Sequence, residues 1–356
     1  MQILPETIST ITPQSETWRT RARERLDRLT MPHWALGRLM DLALDLAGIT
    51  RSLKPATRRK VIAVMAADHG VAAAGVSKYP QEITRQMVMA FVNGGAGINA
   101  LAGQAGADVR VVDMGVASDL EHLARANAIL SLPVARGTAN MAEGPAMTRD
   151  QAITAIENGI RVAWRLIDQE KYDLIGVGEM GIGNTTPSAA IIAALTGKSA
   201  RETTGRGTGI DDEQLRHKIA VIEKASRINQ PDPKDALDVL AKLGGFEIGG
   251  IAGVILGAAA RRRPVLVDGL ISGAGALIAQ RLAPHAADYL IASHRGVEKG
   301  HIIALDHLGK EPLLDLRLRL GEGTGAALAM NLVEAAGRVL RDVKTFEEAE
   351  MPPDPR

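Results

Sequence analysis

The sequence predicts an α/β protein built on a doubly wound, mostly parallel sheet, and three observations predict it. An apolar strand-like run, a glycine-bearing loop and a helix-like segment follow one another five or six times, with no internal sequence repeat. The apolar runs are continuous rather than alternating, as in strands covered on both faces. Glycine counts 37 in 356 residues, above the usual ~7%, while aromatic residues are only 3%. An all-β sandwich calls for more aromatics and stricter alternation.

The elements follow in order. Helical patterns cover 15–29 and 34–47, and a basic stretch, 51–60, leads into an apolar strand at 61–67 that ends in Asp68-His69-Gly70. Residues 81–102 read as helix interrupted at Gly94-Gly95, and 108–113 as a strand. Thr148 and Gln151 have the spacing of a capping box, opening a helix to about 169. A strand at 172–177 runs into the glycine loop 178–186, after which Thr186 is the expected cap and Pro187 the first helical residue. Asp211 caps a helix to about 228, and Pro231-Asp232-Pro233 is a break rather than a domain linker. Helices at 235–243 and 246–260 precede a strand at 265–269 and a helix at 271–282. Strands are expected at 287–292 and, by alternation, at 313–320, with a last helix from 326 to about 346. In such sheets ligands sit beyond the carboxyl ends of the strands, so the glycine loops are expected to converge there.

Composition excludes several classes. Lys+Arg 42 against Asp+Glu 41 leaves a net charge of +1, without the basic excess of a general nucleic-acid or membrane-surface binder. With no cysteine, disulfides, thiolate nucleophiles and thiolate metal sites are excluded. The first ten residues lack the basic and apolar regions of a signal peptide. The apolar run 248–260 is too short to span a bilayer. The expected location is the cytoplasm, and no metal is expected because the histidines form no metal-ligand motif.

The glycine loops carry the candidate chemistry. Gly176 to Gly181 match G-x-G-x-x-G after a strand, but the second strand ending in an acid that a dinucleotide site requires does not follow. Gly197-Lys198-Ser199 lacks the upstream glycine of a phosphate-binding P-loop, since position 192 is Ile192. Several glycine turns at one sheet edge instead make an anion nest, and one phosphate is its natural guest. Gly205-Arg206-Gly207-Thr208-Gly209, with Lys218 on the following helix, is a second candidate cradle, although Lys218 alone also reads as a solvated helix lysine. Glu179 and Glu322 each lie in a glycine loop past an apolar strand, where a base can sit, or where a carboxylate can cap a helix or pair with an arginine. His69 reads as a hydrogen-bonded strand-end residue, Arg261-Arg262-Arg263 as a structural helix end, and the methionines as core.

These blocks carry a resemblance. Residues 67–71, Gly75-Val76-Ser77 with Pro80 and 84–88, 178–186, 205–209, Ser293-His294-Arg295 with Glu298 and Gly300-His301, and 320–325 occur in this order. Over about residues 10–345 the chain closely resembles the nicotinate-nucleotide–dimethylbenzimidazole phosphoribosyltransferase family, with the blocks GEMGIGNTT and LGEGTGA the most specific. Gly296 and Lys299 stand where that family has serine and proline.

The resemblance implies a Rossmann-like catalytic unit at 59–325, with a small helical domain from both chain ends, 1–58 and 326–356, in a homodimer. It implies transfer of the 5-phosphoribosyl group of nicotinate mononucleotide to 5,6-dimethylbenzimidazole, without a cofactor. It further implies Glu322 as general base, with Gln86, Glu179, Met180 and Gly321 lining the base pocket. For the ribotide and its phosphate it implies Gly181, Gly183, Asn184, Thr185, Thr186, Gly207, Thr208, Gly209, Lys218 and Ser293. The chemistry agrees with this inventory. A pyridinium leaves without protonation, and no pyrophosphate needs Mg²⁺. Two other readings share these motifs: a transferase using another aromatic acceptor such as adenine or a phenol, and a non-catalytic ribotide sensor, which has no need of Glu322.

Overall fold

The computed structural model describes residues 3–207 and 209–352. Its first third carries α1 (Ile3–Thr10), α2 (Glu16–Leu26), α3 (Arg38–Thr50), β1 (Lys60–Ala67), α4 (Ile83–Val92), α5 (Gly97–Ala105) and β2 (Ala107–Gly115). There follow α6 (Glu121–Arg125), β3 (Leu130–Ser131), α7 (Arg149–Trp164), β4 (Leu174–Met180), α8 (Thr185–Thr196), α9 (Ala200–Thr203), α10 (Asp212–Asn229) and α11 (Ala236–Leu243). The last part contains α12 (Phe246–Ala260), β5 (Val265–Val267), α13 (Leu270–Leu282), β6 (Leu290–Ala292), α14 (Lys299–Leu308) and α15 (Thr324–Asp342).

The six strands form one all-parallel sheet in the order β3-β2-β1-β4-β5-β6. The chain winds outward from β1 to β3, then returns to β4 on the other side of β1, so β1 and β4 flank the topological switch point. Every residue of β1 is buried, as its unbroken apolar run requires. One apolar layer joins the sheet to α7, α8, α12 and α13. The other joins it to α2, α3, α4, α5 and α15. The tightest helix contact, α7 on α12, exists because a Cβ on Gly159 would lie 2.0 Å from the Gly250 carbonyl oxygen. Small residues thus let the two backbones touch.

Local capping follows the sequence. Thr148 Oγ1 accepts the Gln151 N–H while the Gln151 side chain accepts that of Thr148, and Asp211 and Gln214 make the same exchange. Asp235 accepts the Leu237 and Asp238 N–H groups.

The structure corrects several expectations. Residues 313–320 form no strand. Leu314 makes a single parallel bridge to His294, after which the segment leaves the sheet edge with Leu316 and Leu320 exposed. Its alternation therefore comes from a solvated edge, not from a second covered face. The strand expected at 172–177 is β4, shifted to end at Met180, so Glu179 lies within it, paired in register with Met65. Helix α8 opens earlier than Pro187, with Asn184 in the cap position and Pro187 as its third residue. Only the end of 287–292 is strand, the preceding Pro284–Tyr289 being a 3-10 turn. Among the described residues no helix is long and apolar enough to cross a membrane.

Candidate active site

The loops after β1, β4, β5 and β6 converge on one cavity of about 430 Å³, within the usual range for small-molecule sites. One wall is apolar: Val76, Tyr79, Ile83, Met87, Met180 and Leu320 line it. Glu179 and Glu322 line the cavity as well, together with Thr185, Arg206, Gly207, Lys218, Glu298 and Arg319.

Glu322 is placed by an unusual turn. Gly321, Glu322 and Gly323 take φ values of +85°, +62° and +90°, a left-handed run that a side chain tolerates poorly. Glycine at 321 has a second reason, since a Cβ there would lie 2.2 Å from Glu179 Oε1. The turn delivers the buried Glu322 carboxylate to the N-terminus of α5, where Oε2 accepts the Ile98 N–H at 3.1 Å. Oε1 has no hydrogen-bond donor among the described residues. Burial raises the Glu322 pKa, the Ile98 bond opposes that shift, and the Asp268 charge adds to it.

Glu179 has both oxygens engaged. Oε2 accepts from Asn184 Nδ2, and Oε1 accepts the Glu322 N–H at 3.4 Å. Burial pushes this carboxyl up to about 8 against the Asn184 bond, with the Asp268 and Glu247 charges adding to the rise. The two carboxyls thus differ in kind: one locked between donors, one with an oxygen open toward the cavity.

The same lining holds a buried cation. Lys218 is almost fully buried in α10, not solvated, and its Nζ donates to Thr185 Oγ1 at 2.6 Å. Burial pushes its pKa down to about 8, opposed by the Glu298 charge. Gly207 folds over it with φ +52°, its Cβ position 3.5 Å from Nζ, and its N–H donates to Glu298 Oε1 at 3.0 Å. The start of α8, with Gly183 at φ +88°, presents its positive end to the same space.

The expected site residues divide accordingly. Glu179, Met180, Gly181, Gly183, Asn184, Thr185, Gly207, Lys218, Gly321 and Glu322 all line the cavity. Thr186 is buried in the first turn of α8, outside the lining. Gly209, at φ +102°, lies near Arg319 and also outside it. Thr208 lies outside the described residues. Gln86 lies outside this lining: it sits exposed on α4, while Ile83 and Met87, one turn apart, share the face that meets the cavity. Ser293 is fully buried and donates to the Val267 carbonyl at 2.7 Å, so the cavity residue of that segment is the adjacent His294. Gly296 donates its N–H to His301 Nδ1 at 3.1 Å, and a Cβ there would press within 2.7 Å of that atom.

Sequence reasoning missed Tyr79, Ile83, Met87, Glu298, His301 and Arg319 as lining residues. It also missed Asp268, although a carboxylate directly past an apolar strand was the signal that singled out Glu179 and Glu322. Among the described residues no cluster of three or more His, Asp or Glu is placed to hold a metal ion. His69 is a strand-end residue whose Nε2 meets Glu247 Oε1 at 2.7 Å, both side chains buried.

A family model described as phosphoribosyltransferase matches residues 11–351. The chain belongs to that phosphoribosyltransferase family. It is 60% identical over 349 residues to the nicotinate-nucleotide–dimethylbenzimidazole phosphoribosyltransferase of Syntrophotalea carbinolica, covering 98% of each chain. It is 57% identical to the enzyme of the same name from Desulfotalea psychrophila, again with 98% of each covered. A crystal structure of the Thermus thermophilus enzyme superposes with a TM-score of 0.89 at 44% identity, covering 96% of this chain and 100% of that one. The phosphoribosyltransferase family thus shares with this chain the all-parallel six-stranded sheet as well as the sequence.

Proposed function

We propose that this phosphoribosyltransferase moves the 5-phosphoribosyl group of nicotinate mononucleotide to 5,6-dimethylbenzimidazole, giving α-ribazole 5′-phosphate and nicotinate. One observation carries the reading: a single cavity is lined by a buried lysine cradle, an apolar wall and a carboxylate with an open oxygen. The relatives' shared name supports the substrate pair.

In this reading the ribotide phosphate lies among Lys218, Thr185, Gly207 and the start of α8. The acceptor ring lies along Val76, Ile83, Met87 and Met180. Its unprotonated ring nitrogen attacks the anomeric carbon from the face opposite nicotinate. The glycosidic C–N bond breaks, its electron pair returns to the pyridine nitrogen, and the configuration changes from β to α. The acceptor's other ring N–H, made acidic by the new bond, passes its proton to Glu322 Oε1. Positioned proton transfer of this kind contributes roughly two to four orders of magnitude. Glu179 holds Asn184 and the Glu322 backbone rather than a proton in transit.

The apolar side chains of Val76, Ile83, Met87 and Met180 favour an acceptor whose edge carries methyl groups. The proposal includes a cytoplasmic homodimer, and a helical unit of 1–58 with 326–356, supported by the packing of α15 on α2 and α3. Incubating the protein with nicotinate mononucleotide and mixed bases, then identifying the riboside by mass, tests the reading. A product with another base, or none, overturns it.

A further inference from the structure

Asp268 has no part in the reaction as described above, yet it is the most heavily engaged carboxylate beside the site. It follows β5 and is 1% exposed. Oδ1 accepts the N–H groups of Gly325 at 2.7 Å and Ala326 at 3.1 Å, and Oδ2 accepts that of Gly323 at 3.2 Å. His294 Nε2 stands 3.5 Å from Oδ1. One of these donors, Gly323, belongs to the turn that carries Glu322, and the other two lie in the first turn of α15.

The turn closes through Thr324, whose N–H and Oγ1 both donate to the Gly321 carbonyl, at 3.0 and 2.8 Å, but it supplies no side-chain cap for the helix it opens. The cap position of α15 is Gly323, which has no side chain to satisfy the first N–H groups of the helix. Asp268 reaches across from another strand and supplies that cap. The same carboxylate fixes the residue directly after Glu322, in a run of three left-handed conformations that persists only where the surroundings over-determine it. On the other side, a Cβ at Gly325 would lie 1.9 Å from the His294 ring, so the ring is seated tightly on the first turn of α15. The frame is rigid, and it leaves Glu322 Oε1 without a donor among the described residues.

We propose that Asp268, braced by His294, is the positioning residue for Glu322: it acts on turnover by holding the base at the acceptor, and touches neither substrate. The inference rests on the general-base reading of Glu322. Asp268→Asn keeps the size but turns an N–H donor toward backbone N–H groups, so the turn relaxes. Turnover is expected to fall at least 30-fold while the Michaelis constant for nicotinate mononucleotide stays within about threefold, because the phosphate cradle lies on other elements.

The deciding experiment is a double-mutant cycle with Glu322→Gln in the full-length protein, with circular dichroism confirming that each variant is folded. If Asp268 acts through Glu322, the double variant turns over no more slowly than Glu322→Gln alone. Losses that multiply, or normal turnover in Asp268→Asn, overturn the positioning role and leave the base reading intact. Normal turnover in Glu322→Gln overturns the base reading, and the role of Asp268 with it. Should Asp268→Asn not fold, His294→Gln keeps all three backbone bonds of Asp268 and removes the imidazole that braces it; because His294 also lines the cavity, the Michaelis constants for both substrates are measured alongside turnover. It is expected to lower turnover severalfold, again without adding to Glu322→Gln, and additivity there refutes the proposal equally.

Discussion

Replacing Glu322 by Gln exchanges one oxygen for an NH2 group and leaves the rest of the site in place. The structure fixes which way the amide sits. Ile98 donates its N–H at 3.1 Å, so the amide oxygen stays on Ile98 and the NH2 group faces the cavity. Shape and one hydrogen bond survive, and the proton acceptor is gone. Turnover is expected to fall by roughly two to four orders of magnitude. That raises the barrier by about 2.7–5.4 kcal/mol. Affinity for the acceptor should change by no more than about 1 kcal/mol, a typical neutral hydrogen bond and about a fivefold effect. Burial raises the Glu322 pKa, so the wild-type rate falls on the acid side as this carboxylate takes up its proton. The Gln variant should lack that acid limb. The assay is product formation from nicotinate mononucleotide and dimethylbenzimidazole across pH, with base binding measured separately. Glu179→Gln should be milder in turnover, since a protonated carboxyl and an amide make similar bonds to Asn184. Near-normal turnover in Glu322→Gln, with loss in Glu179→Gln, reverses the two roles. If neither change slows the reaction, no side-chain base takes the proton.

Lys218→Ala removes a charge-assisted contact to the phosphate. The Michaelis constant for the ribotide should rise roughly 10- to 100-fold, that for the base little. Because burial sets the Lys218 pKa at about 8, kcat/KM for the ribotide should decline as pH rises past that value. Equal binding of the dephosphorylated nucleoside would refute the cradle. Activity should persist after exhaustive chelation, and loss in EDTA that added Zn²⁺ or Mg²⁺ restores would contradict the metal-free route. Glu179 links to stability. Its carboxyl moves from 4.5 unfolded to about 8 folded, so the native state holds the proton in this window and unfolding releases it. Wild-type stability from this group therefore falls as pH rises from about 4.5 to about 8. Glu179→Gln mimics the protonated form, so its melting temperature should match the wild type near pH 4.5 and exceed it by several degrees at pH 8. A constant difference across that range would show that Glu179 is not the titrating group.

Features that depend on neighbours along the chain are legible in the sequence. The fully apolar run of β1 demanded cover on both faces, and it lies between α/β layers. The caps at Thr148 and Asp211 are exchanges with the third residue onward, and each forms as expected. The long blocks around Glu179 and Glu322 marked the family and the two carboxylates. Tertiary structure decided whatever depends on a direction in space. Gln86 and Met87 are adjacent in sequence, but the phase of α4 turns one to solvent and the other into the cavity. Ser293 and His294 alternate across a strand end, so only the second reaches the site. Lys218 follows a mostly charged and polar first stretch of its helix, and it is buried only because α10 packs beside the start of α8 and under Gly207. Asp268 finds its three donors more than fifty residues away. The alternation at 313–320 predicts a strand, but past Leu314 the ladder lapses to a lone bond, from the Val297 N–H to the Leu318 carbonyl at 3.3 Å, and the chain turns inward to deliver Glu322. Periodicity records which side chains share a face. Only the packing of one element on another decides what that face meets.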